Sequence, residues 1–412
     1  MTTGTSAVSH QPRDERTGER KDERKEALPM NTNRKKHLGT RASCLDRRGF
    51  VQLMGVLGAS AAAGALLSAC AADGPEGQGN AGPTAPGATV KISVGGSNTG
   101  PGAGLLVLAA MARTGEEFGL DLDITPIDSA PNMIAALQSK KVDIAGYSAP
   151  APLSYLAAGN TDLSIIGGLM SNYESIITLP ENAVLWKGAV TEELIDGLKL
   201  GSNRTNSGDI ALRGWLAEQG FDLTKITFSE FDTPATVIEA VKNGSVDVGI
   251  VNGAFYLPAE AQGLVNARFV KDVIGRDFIC CRQLVRTEQV PDVELWTRVE
   301  KALIRAWQIY RTDEEATLDA LTTFIVIDRE VLRFQLYGYG DLLWSPDPAI
   351  KSIKAYWQGM QASGYVDKGS RVVIDDFIDA SAYKRALDEL SAESPDDPLL
   401  KELRDSWSKL DT

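Results

Sequence analysis

The sequence predicts an α/β protein of two similar lobes with mixed, mostly parallel sheets, a hinge between the lobes, and added helices at the C-terminal end. Three observations lead there. The first is an internal duplication: residues 96–159 return in altered form at 201–263. Gly96-Ser97-Asn98 recurs as Gly201-Ser202-Asn203, Gly119-Leu120-Asp121-Leu122 as Gly220-Phe221-Asp222-Leu223, and Ile127-Asp128-Ser129 as Phe231-Asp232-Thr233. Beyond that point the copies run at a constant offset of 104, pairing Ile134 with Ile238, Val142-Asp143 with Val246-Asp247, Leu153 with Leu257 and Gly159 with Gly263. Two copies, each larger than a solenoid unit, indicate a duplicated domain rather than an array. The second observation is that short apolar runs alternate with helical periodicity, the pattern of sheets with covered faces. The third is a long amphipathic stretch from Asp292 to Tyr310, followed by further helical pattern to about Leu390.

The elements follow in order. Residues 1–69 form a leader: Asp46-Arg47-Arg48-Gly49-Phe50 carries a twin arginine, and Gly49 to Ala72 contains no charge. The run Val51–Leu67 is rich in Ala and Gly and lacks the strongly apolar residues, about 20 of them, that a spanning helix uses. It therefore reads as a cleaved export signal. Its end, Leu67-Ser68-Ala69-Cys70, resembles a bacterial lipobox, which implies lipid on Cys70 and an anchor to the extracytoplasmic face of the cell membrane. Basic residues concentrate after Met30, which suggests Met30 as the translation start. Residues 70–89, rich in Gly, Pro and Ala, read as a flexible tether.

Val90–Val94 reads as a strand running into a glycine-rich loop, Leu105–Phe118 as a helix, Leu122–Ile127 as a strand and Met133–Ser139 as a helix after Pro131. Val142–Ala145 and Leu163–Ile166 read as strands on either side of a helix that begins at Pro150. The second copy repeats the series with strands near 198–200, 226–229 and 246–251 and helices at 209–219 and 236–242. Lobe 1 is expected to comprise 90–175 and 286–390, and lobe 2 to comprise 176–285. Chain crossings are expected near Tyr173–Pro180 and Ile274–Leu284, with a charged, peripheral tail at 391–412.

Composition narrows the chemistry. Residues 1–70 hold 12 of the 42 basic and 7 of the 55 acidic side chains, so the rest carries 30 against 48, a balance of −18. That argues against a nucleic-acid partner. Both histidines, His10 and His37, lie in the leader, which removes imidazole catalysis and His-ligated metal from the mature part. Cys280 and Cys281 are adjacent and read as part of a buried strand, and their spacing is not that of a metal site. No cofactor or metal is expected, and the chain is expected to act as a monomer.

Ligands of open α/β sheets bind beyond the carboxyl ends of the strands, where helix N-termini point. The candidate ligand contacts are therefore Ser97, Asn98, Thr99 and Ser148 in the first copy. The second copy offers Ser202, Asn203, Thr205, Asn206, Ser207, Asp232 and Asn252. Ser171, Asn172 and Tyr173 follow a strand and are added, with Tyr147, Phe255 and Tyr256 as possible aromatic walls and Arg204 as a possible cation.

Glu117-Phe118-Gly119-Leu120-Asp121-Leu122, Ala136-Leu137-Gln138-Ser139-Lys140-Lys141-Val142-Asp143 and Ala240-Val241-Lys242-Asn243-Gly244-Ser245-Val246-Asp247 resemble the nitrate/sulfonate/taurine-type substrate-binding proteins of ABC transporters, which have the type 2 periplasmic-binding-protein fold. Asp376-Phe377-Ile378-Asp379-Ala380-Ser381-Ala382-Tyr383 resembles the family's closing segment. The resemblance spans about 90–390. It implies a small polar or anionic ligand and a permease with its ATPase as partners. Lys140-Lys141 replaces the glycine usual before the first Val-Asp, and the proline expected soon after the second comes late, at Pro258. Enzymes of similar fold use histidine chemistry (thiamine-pyrimidine synthases) or a cysteine in the first glycine loop (desulfinases). Neither feature is present in the part after the leader. A sensory lipoprotein would use the same cleft and stays open as an alternative.

Overall fold

The structure, a computed structural model, describes residues 89–127 and 129–412. The twin arginine, Met30, Cys70, the tether up to residue 88 and Asp128 lie outside the described residues. Among the described residues no helix is long and apolar enough to cross a membrane.

Two mixed sheets carry the duplication. The first contains β1 (Val90–Gly96), β2 (Leu120–Pro126), β3 (Ile144–Ser148) and β4 (Leu163–Ser171). The second contains β5 (Glu174–Thr178), β6 (Lys199–Asn203), β7 (Thr227–Phe231), β8 (Val248–Asn252) and β9 (Val265–Phe269). β10 (Ile279–Arg286) and the short β11 (Leu343–Trp344) return to the first sheet. The strand orders are β11-β4-β10-β3-β1-β2 and β7-β6-β8-β5-β9. Apart from β11 the two orders are the same, with β6, β7, β8 and β9 standing where β1, β2, β3 and β4 do. The inner strands pair in parallel, and each sheet receives one antiparallel strand directly after a chain crossing, β5 in one and β10 in the other.

The repeated Val-Asp explains part of this identity. The Asp143 carboxylate accepts from the Ser93 N–H at 2.9 Å, and the Asp247 carboxylate from the Lys199 N–H at 2.8 Å. Each fastens the loop before the third strand to the first strand of its own sheet. The helices after β2 and β7 are also built alike: Ser129 and Thr233 cap them, and Pro131 and Pro234 open them.

Four boundaries differ from expectation. The helix from Leu105 stops at Met111, where Arg113 turns left-handed at φ 57°. β10, assigned to lobe 2 through residue 285, belongs to the first sheet, where all eight residues are buried between β3 and β4. The helix Ile350–Ala362, assigned to lobe 1, packs on the second lobe's helix Ser207–Glu218, and a Cβ on Gly214 would meet the Gly359 Cα at 2.7 Å. Only glycine lets the two backbones come that close. The tail is not peripheral. Pro398–Leu410 is a helix that buries Leu400 and Leu403, and the Asp411 carboxylate accepts from the Ile350 N–H at 2.7 Å.

The long helix Val293–Thr312 buries Trp296, Val299, Leu303 and Trp307 in the first lobe's core, as its periodicity predicts.

The chain passes between the sheets at Asn172-Tyr173 and returns at Gly275–Phe278. One side chain ties the two crossings together. The Asn172 amide donates to Asp277 Oδ1 at 2.7 Å and its oxygen accepts from the Phe278 N–H at 3.1 Å. The Asn172 N–H in turn donates to the Phe278 carbonyl at 2.9 Å. Asn172 and Tyr173 have φ of 62° and 83°, a left-handed conformation unusual outside glycine.

Candidate functional site

The carboxyl ends of β1 and β3 face those of β6 and β8 across an interlobe cavity of about 300 Å³. Ser97, Thr99 and Ser148 line it from one side, Asn203, Thr205, Asn206, Ser207 and Asn252 from the other, and Tyr173 from the crossing. Residues from both copies thus meet around one space. The lobes also touch directly, with Ser148 Oγ and Ser207 Oγ 3.2 Å apart.

Local structure positions each group. Asn206 caps the Ser207–Glu218 helix by accepting from the Asp209 N–H, so the first turn of that helix opens on the cavity. Asn252 caps the turn after β8, accepting from the Ala254 N–H at 3.1 Å. The next residue must be small, because a Cβ on Gly253 would lie 2.3 Å from the Tyr173 ring. Ser97 and Thr99 hydrogen-bond to each other at 2.9 Å.

Five expected contacts lie elsewhere. Ser202 is fully buried on the other face of β6 and donates to Asp209 at 2.6 Å. Ser171 Oγ accepts from Arg282. Asn172 is spent on the crossing. The Asn98 carbonyl accepts from the Val326 N–H, and its side chain is not part of the cavity wall. Asp232 is exposed and pairs with Arg204 at 3.7 Å, so neither contributes charge to the cavity. Tyr147 and Phe255 line the cavity, whereas Tyr256 stacks on Phe334 with ring centroids 5.6 Å apart.

Among the lining residues that were not expected as contacts, three have ionisable side chains. Cys280 and Cys281 both reach the cavity because β10 is bulged against β4 there, which breaks the alternation that would send neighbours to opposite faces. Their sulfurs are 3.6 Å apart, and the Ser207 hydroxyl donates to Cys280 at 3.4 Å. The Cys280 thiol is held well above its ordinary pKa, first by its bond to Cys281 and then by burial.

The third is Glu174, the first residue of β5 and 3% exposed. Its Oε2 accepts from the Asn206 amide at 3.1 Å. Burial pushes its carboxyl well above the usual range; Cys280, Asp341 and Asp209 add to the shift and the Asn206 bond opposes it. Its backbone N–H, with that of Tyr173, is held by Asp341 at 3.0 and 2.8 Å. The sequence signal was a single acid heading an otherwise uncharged strand, Glu174-Ser175-Ile176-Ile177-Thr178.

A larger depression of about 740 Å³ lies where helices 207–218 and 350–362 diverge around residues 271–278. None of the repeated-loop residues lines it, so it is not the shared site of the two copies.

Residues 108–293 match the family model described as ABC transporter, phosphonate, periplasmic substrate-binding protein, a little under half of the chain. No curated protein matches the sequence. Among solved structures, the periplasmic nitrate-binding protein of Synechocystis PCC 6803 is similar with a TM-score of 0.58 and 16% identity, over 80% of this chain and 100% of that one. The aliphatic sulphonate-binding protein of Escherichia coli aligns at 0.55 and 17%, over 70% and 91%. The alkanesulfonate-binding protein of Xanthomonas axonopodis pv. citri, bound to MOPS, aligns at 0.52 and 19%, over 71% and 98%. The chain has the fold of these binding proteins, the fold that the resemblance implied.

Proposed function

We propose that this protein is the solute-binding component of an ABC importer, held by a lipid on Cys70 to the outer face of the cell membrane. It captures a small polar organic ligand between its lobes and delivers it to a permease driven by an ATPase. The observation that carries this reading is the meeting of equivalent strand ends from both repeats around one interlobe cavity, joined by the Ser148–Ser207 contact. The fold match and the importer family matched over 108–293 support it. An anionic end of the ligand is best placed at the first turn of the Ser207–Glu218 helix, where the positive end of the helix dipole meets it.

The test is titration calorimetry of the intact chain against sulfonates, phosphonates, nitrate and amino-substituted analogues. Saturable one-to-one binding that Ser148→Ala weakens supports capture by the cleft. Binding indifferent to that change places the site elsewhere. Loss of ligand uptake when an adjacent permease gene is deleted separates transport from sensing.

A further inference from the structure

The cavity wall has an unbalanced charge. Among its lining residues there is no Lys, Arg or His, and one carboxylate, Glu174. The nearby cations are engaged with other groups. Arg213 grips Asp209 at 2.8 and 2.6 Å, Lys271 pairs with Asp341 at 3.2 Å, and Arg282 donates to the carbonyls of Pro348, Met170 and Cys281. Of the two Glu174 oxygens, Oε2 takes the Asn206 bond, and Oε1 takes none from the described residues. The Tyr173 hydroxyl is buried and likewise has no hydrogen-bond partner among the described residues. Both groups are set by the left-handed backbone at Asn172-Tyr173 and pinned through their N–H groups by Asp341.

A buried acid with no cationic partner is costly to ionise, and a strained backbone is kept where surrounding structure enforces it, commonly at ligand sites. Both costs fall at the same point of the cavity. The same cavity is lined by three aromatic residues, Tyr147, Tyr173 and Phe255. Aromatic faces with a carboxylate favour a positively charged group over a neutral one of the same shape.

We infer that the captured solute carries a cationic nitrogen group, which sits against Glu174 between these rings and makes Glu174 the residue that selects the ligand by charge. Without ligand, burial raises the pKa of the carboxyl and favours its protonated form. The arriving cation favours the ionised form, so that binding releases protons from the carboxyl to solvent. This inference rests on the cleft being the ligand site.

Matched pairs differing only in charge decide it. The intact chain is titrated with choline and its neutral isostere 3,3-dimethylbutan-1-ol, and with 2-aminoethanesulfonate and its isostere propane-1-sulfonate, in two buffers of different ionisation enthalpy. The expected result is at least tenfold tighter binding of the cationic member of a pair, with proton release on binding. Glu174→Gln should erase the preference and the proton release together. Equal binding within the pairs, or a preference that survives Glu174→Gln, overturns the charge inference and leaves capture by the cleft standing. Silence from every compound in both sets overturns both.

Discussion

At the scale of single residues, polar side chains facing the cavity divide into those that hold the fold and those left for a ligand. Ser148 belongs to the second kind, since its hydroxyl meets only Ser207 across the cleft. Ser148→Ala is expected to weaken ligand binding roughly tenfold, because a lost buried partner costs about 1–3 kcal/mol, with little change in denaturant midpoint. Asn252→Ala should show both effects, since that side chain also caps a turn, an interaction worth about 1 kcal/mol. Glu174 gives a pH signature. Its folded pKa lies above the ordinary 4.5, so its favourable contribution is complete below that value and is lost as pH rises toward the folded pKa. Glu174→Gln should therefore make the ligand-free protein more stable at pH 7, with the gain vanishing near pH 4.5 in chemical denaturation. These roles were only partly legible in the sequence. The duplication marked the strand ends, but neighbours on a strand point to opposite faces. Nothing in Gly201-Ser202-Asn203 says that Ser202 turns inward and Asn203 outward. Glu174 was hidden for a different reason, because its burial depends on β8, which is more than 70 residues away in sequence.

At the scale of elements, the added C-terminal helices clasp both lobes. The Gly214–Gly359 contact leaves no room for a methyl group, so Gly214→Ala should separate helices 207–218 and 350–362 and cost about 1–3 kcal/mol in denaturant unfolding. The last helix is held through Asp411, whose carboxyl is pushed up to about 8 by burial and by neighbouring Asp347. Its contribution is complete below the ordinary 3.8 and is lost as pH climbs through about 8. The thermal midpoint of the parent should fall between pH 6 and 9 more steeply than that of Asp411→Asn, which keeps the acceptor for the Ile350 N–H. Identical slopes would remove Asp411 from the account. Helical periodicity made Val293–Thr312 legible, whereas the tail looked like a solvated charge run. The spacing of Leu400 and Leu403 says which face is apolar but not that a partner surface lies beneath it.

At the scale of the molecule, the two sheets are legible as a pair in the sequence because the offset of 104 carries strand, helix and loop together. The placement of β10 was not legible, since a fully buried strand carries no alternation to show which sheet receives it. The lipid reading makes its own prediction: Cys70→Ala should move the protein from the membrane to the soluble fraction, read by immunoblot. The tie at Asn172 has a further consequence. Rotation of the lobes about that tie leaves Glu174 beside the pivot with its Asn206 bond intact, while the Ser148–Ser207 contact has to part. What the protein chooses and how long it keeps it are then written in different places. The pivot sets preference, the contact between lobes sets dwell time, and a lineage can retune one without disturbing the other.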